Sequence, residues 1–397
     1  MAYDYSVLFK SEDDVNGTWR EVYDDNLLLS HNLLSILKRT IFLPHDFYDV
    51  VTAYFLLPSA LCRIVPYLFL YGQSGSGKST IAKLASYLHG ITINSSSDTF
   101  AGIRNSLNDR RRTWVEAPVE HSPEHTYAKT VEKNTCMVWD DVSAYTFLNS
   151  PDIYNMFKFG YDRTTDKIMI SGKEVGENLE FHCFCPKVFS SISPLHLDDR
   201  FRELKRRMIV IPCKRVEELE DERKAELGID DNTWQKDLID LTAYSWKGFS
   251  QKFDKFWDMD AAKLFVDSRR YLSQNVRGLS SQQRTISLDL MATGIASGIW
   301  QDDIEATERV KEYWAWFKVE TEKNAGPGSL LKSYIQQEAR NAKAGSRPLE
   351  IYTAQLRSQI DIWVQQGWLY EKPRPKDIKE LMLDLGMRHQ QGKWVKG

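Results

Sequence analysis

Short, continuously apolar runs alternate along this chain with longer stretches in which apolar residues recur at helical spacing. Leu27–Leu37 and Phe47–Leu57 have the helical period and predict helices in the N-terminal part. From Ile64 the period changes. Pro66-Tyr-Leu-Phe-Leu-Tyr71 is the pattern of a strand buried on both faces of a parallel sheet. Ser79–Leu88 returns to helix, with Ile81, Leu84, Ala85 and Leu88 on one face. Further runs at Ile91–Asn94, Thr135–Trp139, Lys187–Ser190 and Met208–Pro212 predict strands, and their alternation with helical segments argues for an α/β layered core. Lys167–Ser171 and Leu179–Phe184, flanking Gly172–Asn178, read as a hairpin. Beyond Cys213 the pattern is helical, first through the charged stretch Val216–Glu226. It continues through Trp246, Phe249, Phe253, Phe256, Trp257 and Phe265, an aromatic stripe with the spacing of a core face.

Val50–Leu70 is the most apolar stretch, but Pro58, Arg63 and Pro66 interrupt it. It therefore reads as a core helix and a buried strand, not a membrane span. A chain of 397 residues is too long for one ordinary core. Ala325-Gly-Pro-Gly-Ser329 is a linker signal. The divisions expected are an N-terminal helical region (1–62), a sheet core (63–213), a helical domain (214–325) and a tail (326–397).

Charge changes the picture of the tail only. Gly326–Gly397 holds seven Lys and five Arg against seven Asp plus Glu, or +5, which leaves −8 for the rest of a chain whose net charge is −3. A basic module on an acidic body points to an anionic partner for the tail. Ser329–Arg340 and Ile351–Gln366 predict two amphipathic helices, Trp368-Leu-Tyr370 follows, and Lys376–Leu385 predicts a third helix. Gly386–Trp394 reads as a short hairpin. This order fits a winged-helix layout that binds DNA through Arg374, Lys376, Lys379, Arg388 and Lys393, or else a small protein-docking domain. Arg104 and Arg110-Arg-Arg112 form a second basic cluster, either a DNA-facing loop or a solvated charge run.

The five cysteines (Cys62, Cys136, Cys183, Cys185, Cys213) are odd in number and sit mostly among apolar residues, which suits reduced thiols. His182, Cys183 and Cys185 lack a second ligand pair at zinc spacing, so strand-core residues are the better reading. The N-terminus carries neither a basic n-region nor an apolar h-region, and a cytoplasmic location without membrane contact is expected.

The strongest chemical signal is Gly72-Gln73-Ser74-Gly75-Ser76-Gly77-Lys78-Ser79, followed by Thr80, which matches G-x-x-x-x-G-K-[ST] at every fixed position. Glycines at those positions let backbone N–H groups turn inward as an anion nest at a helix N-terminus. Lys78 then reaches the β- and γ-phosphates of ATP, and the Ser79 hydroxyl ligates Mg²⁺. The flanking strand and helix are the context this motif requires. Met137-Val-Trp-Asp140-Asp141 ends a second strand in two carboxylates: Asp140 suits the metal side and Asp141 the attacking water, the alternative being two acids that cap the next helix.

With both motifs in place, the chain resembles an additional-strand ATPase of the AAA+ type. More narrowly, it resembles the superfamily-3-like helicase and primase-associated ATPases of phages, plasmids and integrated elements, over about Tyr67–Trp300. That resemblance implies an α/β, P-loop AAA+-like parallel core with helical N-terminal and post-core regions and a small winged-helix-like C-terminal domain. It makes the 167–184 hairpin a DNA-touching arm with Lys173 at its tip, where the bland reading is a solvated turn lysine. Pro186–Ser193 resembles the sensor strand. Asparagine is usual there, so the contact falls here to Ser190, Ser191 or Ser193, with Ser191 at the centre. Asp198–Pro212 resembles the arginine-finger helix, with Arg206 and Arg207 as the fingers or else part of a solvated face. Arg277–Ile299 resembles a second-sensor segment, with Arg284 as the nucleotide contact or a surface arginine before a core helix. A finger used in trans implies a homo-oligomer, a hexameric ring. The expected activity is ATP hydrolysis by a DNA-binding motor, a helicase or replication-initiation ATPase of a mobile element, with a primase or initiator protein as candidate partner. The alternatives are an ATP-dependent assembly switch without unwinding, such as a transposition regulator or defence-associated ATPase, and, more distantly, a small-molecule kinase.

Overall fold

A computed structural model describes residues 17–95, 97–119, 122–171, 178–229, 238–257, 259–323, 327–344, 348–365 and 372–396. The described residues begin with β1 (Gly17–Thr18), α1 (Leu29–Lys38) and α2 (Tyr48–Phe55). There follow β2 (Tyr67–Tyr71), α3 (Lys78–His89), α4 (Phe100–Arg111), the strands β3 (Arg112–Val119) and β4 (Ser122–Glu132), and β5 (Met137–Trp139). Next come α5 (Ala144–Asn149), α6 (Pro151–Phe159), β6 (Lys167–Ser171), β7 (Asn178–His182), β8 (Lys187–Ser191), α7 (Arg202–Lys205) and β9 (Met208–Pro212). The helical part holds α8 (Asp221–Glu226), the short β10 (Tyr244–Ser245), α9 (Ser250–Phe256), α10 (Met259–Asn275), α11 (Ser281–Ala296) and α12 (Asp303–Lys323). The chain ends with α13 (Pro327–Ala344), β11 (Glu350–Tyr352), α14 (Thr353–Gln365), α15 (Pro375–Asp384), β12 (Met387–Gln390) and β13 (Lys393–Lys396).

The structure is mixed α/β. Four strands make one parallel sheet in the order β5-β8-β2-β9, with Phe69 opposite both Phe189 and Val210. These strands are almost wholly buried, which is why they read as unbroken apolar runs rather than alternating ones. Phe69, Phe157 and Phe189 pack around Tyr67 and Trp139, each buried ring adding about 1.5–3 kcal/mol. Lys187 is the exception inside this core. Its ammonium donates to the Gly160, Cys183 and Cys185 carbonyls (3.0, 2.8 and 3.1 Å), which offsets the cost of burying the charge. The run Ile91–Asn94, expected as a strand, contributes only one parallel bridge from Asn94 to Trp139, beside β5; its residues are half-buried or exposed.

Two antiparallel hairpins leave this layer. β6–β7 is the expected one, although the segment around Lys173 lies outside the described residues. The other, β3–β4, was not expected. Pro118 and Pro123 fall within it and argue against strands in sequence, and the register shifts between Pro118 and Val119.

By internal contacts the chain divides into two units. One runs to Pro194 and resumes over Arg206–Tyr313; the other takes Leu195–Lys205 and Trp314–Gly397. In the second unit β11-β13-β12 form an antiparallel sheet, and Leu331, Ile351, Leu356, Ile360, Trp363, Met382, Met387 and Trp394 make its core. Two expectations change here. Ile351 begins no helix: it is a fully buried strand residue opposite Trp394, and α14 starts two residues later. Pro327 opens α13 rather than lying in a linker, since proline in a first helical turn forfeits no hydrogen bond. Trp368–Tyr370 lie outside the described residues. Among the described residues, no helix is long and apolar enough to cross a membrane.

Candidate functional site

The Gly72–Gly77 loop joins the carboxyl end of β2 to the first turn of α3. Its conformation needs glycine at two points. A Cβ on Gly72 would lie 1.9 Å from the Cys213 carbonyl oxygen, and Gly77, the helix N-cap at φ 84°, would drive one to 2.4 Å from Ile41 Cδ1. Gln73, Ser74 and Gly75 are exposed, as is Ser79 in the first turn of α3; Thr80 is half-buried. Lys78 is buried, and its ammonium donates to the Gly72 and Gln73 carbonyls, both at 2.8 Å, so the side chain folds back over the loop. Ser76 is 3% exposed, and its hydroxyl has no hydrogen-bond partner among the described residues. A buried hydroxyl without a partner is costly unless something else meets it.

Asp140 and Asp141 follow β5 at the same edge of the sheet, two strand spacings (about 10 Å) from the strand that feeds the loop. Between them, on β8, stands Ser190. Its buried hydroxyl donates to Asp140 Oδ1 at 2.5 Å and accepts the Asp141 N–H at 2.9 Å, while its carbonyl accepts the Val142 N–H at 2.7 Å. Three contacts from one serine thus fix the turn that aims both acids. Asp141 holds φ 56°, a left-handed conformation uncommon outside glycine and costly to maintain without such support. Asn94 accepts the Asp140 N–H at its carbonyl (3.2 Å) from the other side. Its side-chain oxygen is buried without a partner among the described residues. Ser191 ties the same edge together: its carbonyl accepts the Gly72 N–H and its hydroxyl the Ser193 N–H. Sequence reasoning named Ser190 only among three sensor serines and missed Asn94. The strand register decides which serine faces β5, and the register is not readable from Phe-Ser-Ser.

The remaining site residues lie elsewhere. Arg206 and Arg207 precede β9, and the Arg207 carbonyl accepts the N–H of Tyr67, the first residue of β2. They are therefore at the amino edge of the sheet. Arg206 is exposed, whereas Arg207 is buried with its guanidinium 4.3 Å from the Tyr161 ring centroid. Arg284 is also at the amino edge. It shares a cavity with Arg63 and Ile64, just before β2, and donates to the Ser273 carbonyl of α10. The five residues of β2, about 17 Å at 3.3–3.4 Å each, separate that edge from Gly72. The structure does not bring Arg284 to the loop of its own chain.

The basic cluster at 110–112 is not a loop. α4 runs through Arg110 to Arg111, and Arg112 opens β3. Arg111 is buried in ion pairs with Asp166 and with Glu132 (2.7 Å), while Arg104 sits 3.9 Å over the Phe181 ring. His182 joins the same network through Asp166 (3.3 Å) and Glu180 (2.8 Å). Cys183 Sγ donates to the Asp166 carbonyl at 3.0 Å, so both are part of the packed structure at the hairpin bases. All five cysteines are buried and free, and burial pushes the Cys183 and Cys213 thiols up to about 12.

In the tail, Arg374, Lys376, Lys379 and Arg388 are exposed and Lys393 is half-buried. Arg374 pairs with Asp377 (2.9 Å) at the start of α15, and Lys393 pairs with Glu350 (2.6 Å) across the sheet. Surface pairs of this kind hold their cations weakly.

Comparison with protein-family models finds none that matches this chain, and no curated protein matches it.

Proposed function

We propose that the protein is an ATP-hydrolysing, DNA-binding motor of the AAA+, superfamily-3-like class, a helicase or replication-initiation ATPase of a mobile genetic element. The observation that carries the reading is the Gly72–Ser79 loop at the carboxyl end of β2, faced across one intervening strand by Asp140 and Asp141 held on Ser190. A strand inserted between the loop strand and the acid strand, as β8 is here, is the arrangement that gives the additional-strand class its name.

ATP and Mg²⁺ fit this donor set. The loop offers the N-terminus of α3, a buried lysine and the unpartnered Ser76 hydroxyl, while Ser79 and Asp140 offer oxygen ligands of the kind Mg²⁺ prefers. Bound Mg²⁺ supplies a Lewis acid for the charge that builds on the transferred phosphoryl. Lys78 exchanges its loop carbonyls for β- and γ-phosphate oxygens, Asp140 holds the metal side, and Asp141 orients a water and draws on its proton. Arg206, exposed before β9, is the finger offered to a neighbouring copy in a hexameric ring, and Arg207 backs it from over Tyr161.

The tail supports the DNA half of the reading. Its order α13-β11-α14-α15-β12-β13 is that of a winged helix, with α15 as the groove helix and β12–β13 as the wing. Arg374, Lys376 and Lys379 then lie on or beside the groove helix and Arg388 and Lys393 on the wing, where phosphates can displace their weak surface partners.

The test is the ATPase rate of the purified chain with and without single- and double-stranded DNA, alongside its mass with nucleotide bound. Stimulation by DNA, an oligomeric mass, and at least a hundredfold loss of turnover in Lys78→Ala are expected. Hydrolysis indifferent to every form of DNA, or phosphate transferred to an acceptor, would defeat the proposal.

A further inference from the structure

We infer that the arginine-lined groove at the amino edge of the parallel sheet is a second phosphate-binding site, separate from the Gly72 loop. Arg63, Arg269 and Arg284 share one cavity of about 340 Å³ with Ser281 and Thr285, at the foot of α11. Three guanidiniums around one cavity repel each other, and their compensation is incomplete. Asp289, 1% exposed, is the carboxylate beneath them. One of its oxygens pairs with Arg269, and the other accepts the backbone N–H groups of Arg63 (3.0 Å) and Ile64 (3.2 Å). Both oxygens are thus engaged, and only one guanidinium is neutralised. Neither Arg63 nor Arg284 forms an ion pair among the described residues. Arg284 spends one N–H on the Ser273 carbonyl, and Arg63 is exposed.

The backbone adds to this field. Ser281 is the first residue of the 16-residue α11, whose N-terminal turn carries partial positive charge. An anion with several oxygens matches the planar forks of two uncompensated guanidiniums, and a phosphate group supplies such oxygens together with negative charge. The Asp289 bridge fixes the groove relative to β2, because it ties α11 to the backbone that enters that strand. A phosphate bound here sits at the end of the sheet opposite the loop, so one chain has room for both.

Two sources share this chemistry: a small phosphorylated molecule and the backbone of a nucleic-acid strand. The experiment separates them and does not depend on hydrolysis. The full chain carrying Lys78→Ala is titrated with pyrophosphate by calorimetry and with a fluorescein-labelled single-stranded oligonucleotide by anisotropy. Each titration is repeated after adding Arg63→Gln, and then Arg63→Gln with Arg284→Gln. At least a tenfold weakening by the pair of substitutions is expected. Loss confined to pyrophosphate assigns a small ligand; loss of oligonucleotide affinity with a shallower salt dependence, about 0.7 in slope per phosphate contact, assigns a strand. Should the double substitution lower the melting temperature, Arg63→Gln alone decides, since that side chain makes no ion pair among the described residues, and a threefold weakening is expected of it. Unchanged affinity for both probes overturns the inference.

Discussion

The two edges of the parallel sheet hold cations in opposite ways. At the carboxyl edge the positive charge comes from backbone N–H groups and one buried lysine, facing two carboxylates held by Ser190. At the amino edge it comes from long guanidinium side chains over one buried carboxylate, Asp289. The carboxyl edge is made rigid by backbone conformation, with Gly72 and Gly77 in postures closed to other residues. The amino edge is made rigid by an ion pair and two side-chain-to-backbone hydrogen bonds. The shape of the loop thus depends on its glycines, whereas the shape of the amino edge depends on its side chains.

This contrast can be broken first at the acids. Asp289→Ala strips the arginine-lined groove of its buried carboxylate and leaves the backbone N–H groups of Arg63 and Ile64 without that acceptor. A loss of about 3 kcal/mol in stability by denaturant unfolding is expected, the lower end for a broken buried pair because Arg269 is partly exposed. Asp140→Ala, half-buried at the other edge, should abolish turnover while leaving the unfolding midpoint nearly unchanged. Equal losses of stability in the two variants would erase the distinction.

A finer cut is Ser190→Ala. On the proposed reading Asp140 is a metal-side carboxylate, and removing a group that orients one commonly costs 10–100-fold, so kcat should fall by about that factor and the Mg²⁺ requirement should rise. The KM for nucleotide should move little, because the Gly72 loop does not use the Ser190 hydroxyl. A purely structural role would instead lower the melting temperature without changing the Mg²⁺ dependence.

The smallest effect is at the far end of α3, the helix that starts on the loop. Burial pushes His89 down from 6.5 to about 4, against its hydrogen bond with the Phe55 carbonyl (3.0 Å). The folded chain keeps this imidazole neutral while the unfolded chain takes up a proton below 6.5. Its contribution is therefore whole above pH 6.5 and falls as pH drops towards 4, by at most about 1.4 kcal/mol per unit. Stability of the wild type and of His89→Gln, measured between pH 7 and 5, should show the slope flattened in the variant.

Legibility in the sequence follows the same division. The loop, its strand and helix, and the two acids are each contiguous, so spacing alone locates them. The buried strands at 67–71, 187–191 and 208–212 were readable because burial on both faces leaves an unbroken apolar run. The amino edge joins residues 63, 269, 284 and 289, and no spacing rule connects positions so far apart; Arg284, read as a sensor, lies at the edge opposite the loop. Ser190 was visible as a residue but not as a partner, because its role depends on which strand lies beside β8. The β3–β4 hairpin was hidden by its prolines. In the tail, helix order was legible, but Ile351 was misread because one buried residue between polar neighbours does not announce a strand.

The ion network at the hairpin bases, buried at Arg111 and Asp166, links two separate elements. Arg111 ends the helix that leads into β3, Glu132 ends β4, Asp166 precedes β6 and His182 ends β7; Arg163 clasps Glu132 as well. The two arms are therefore hinged on a common pivot. Arg111 thereby joins the root of one arm to the root of the other. Burial works against the Asp166 carboxylate, but His182 and Arg111 outweigh it and keep its pKa below the usual range. Asp166 thus keeps its charge, and with it the pairing to Arg111, through ordinary acidity.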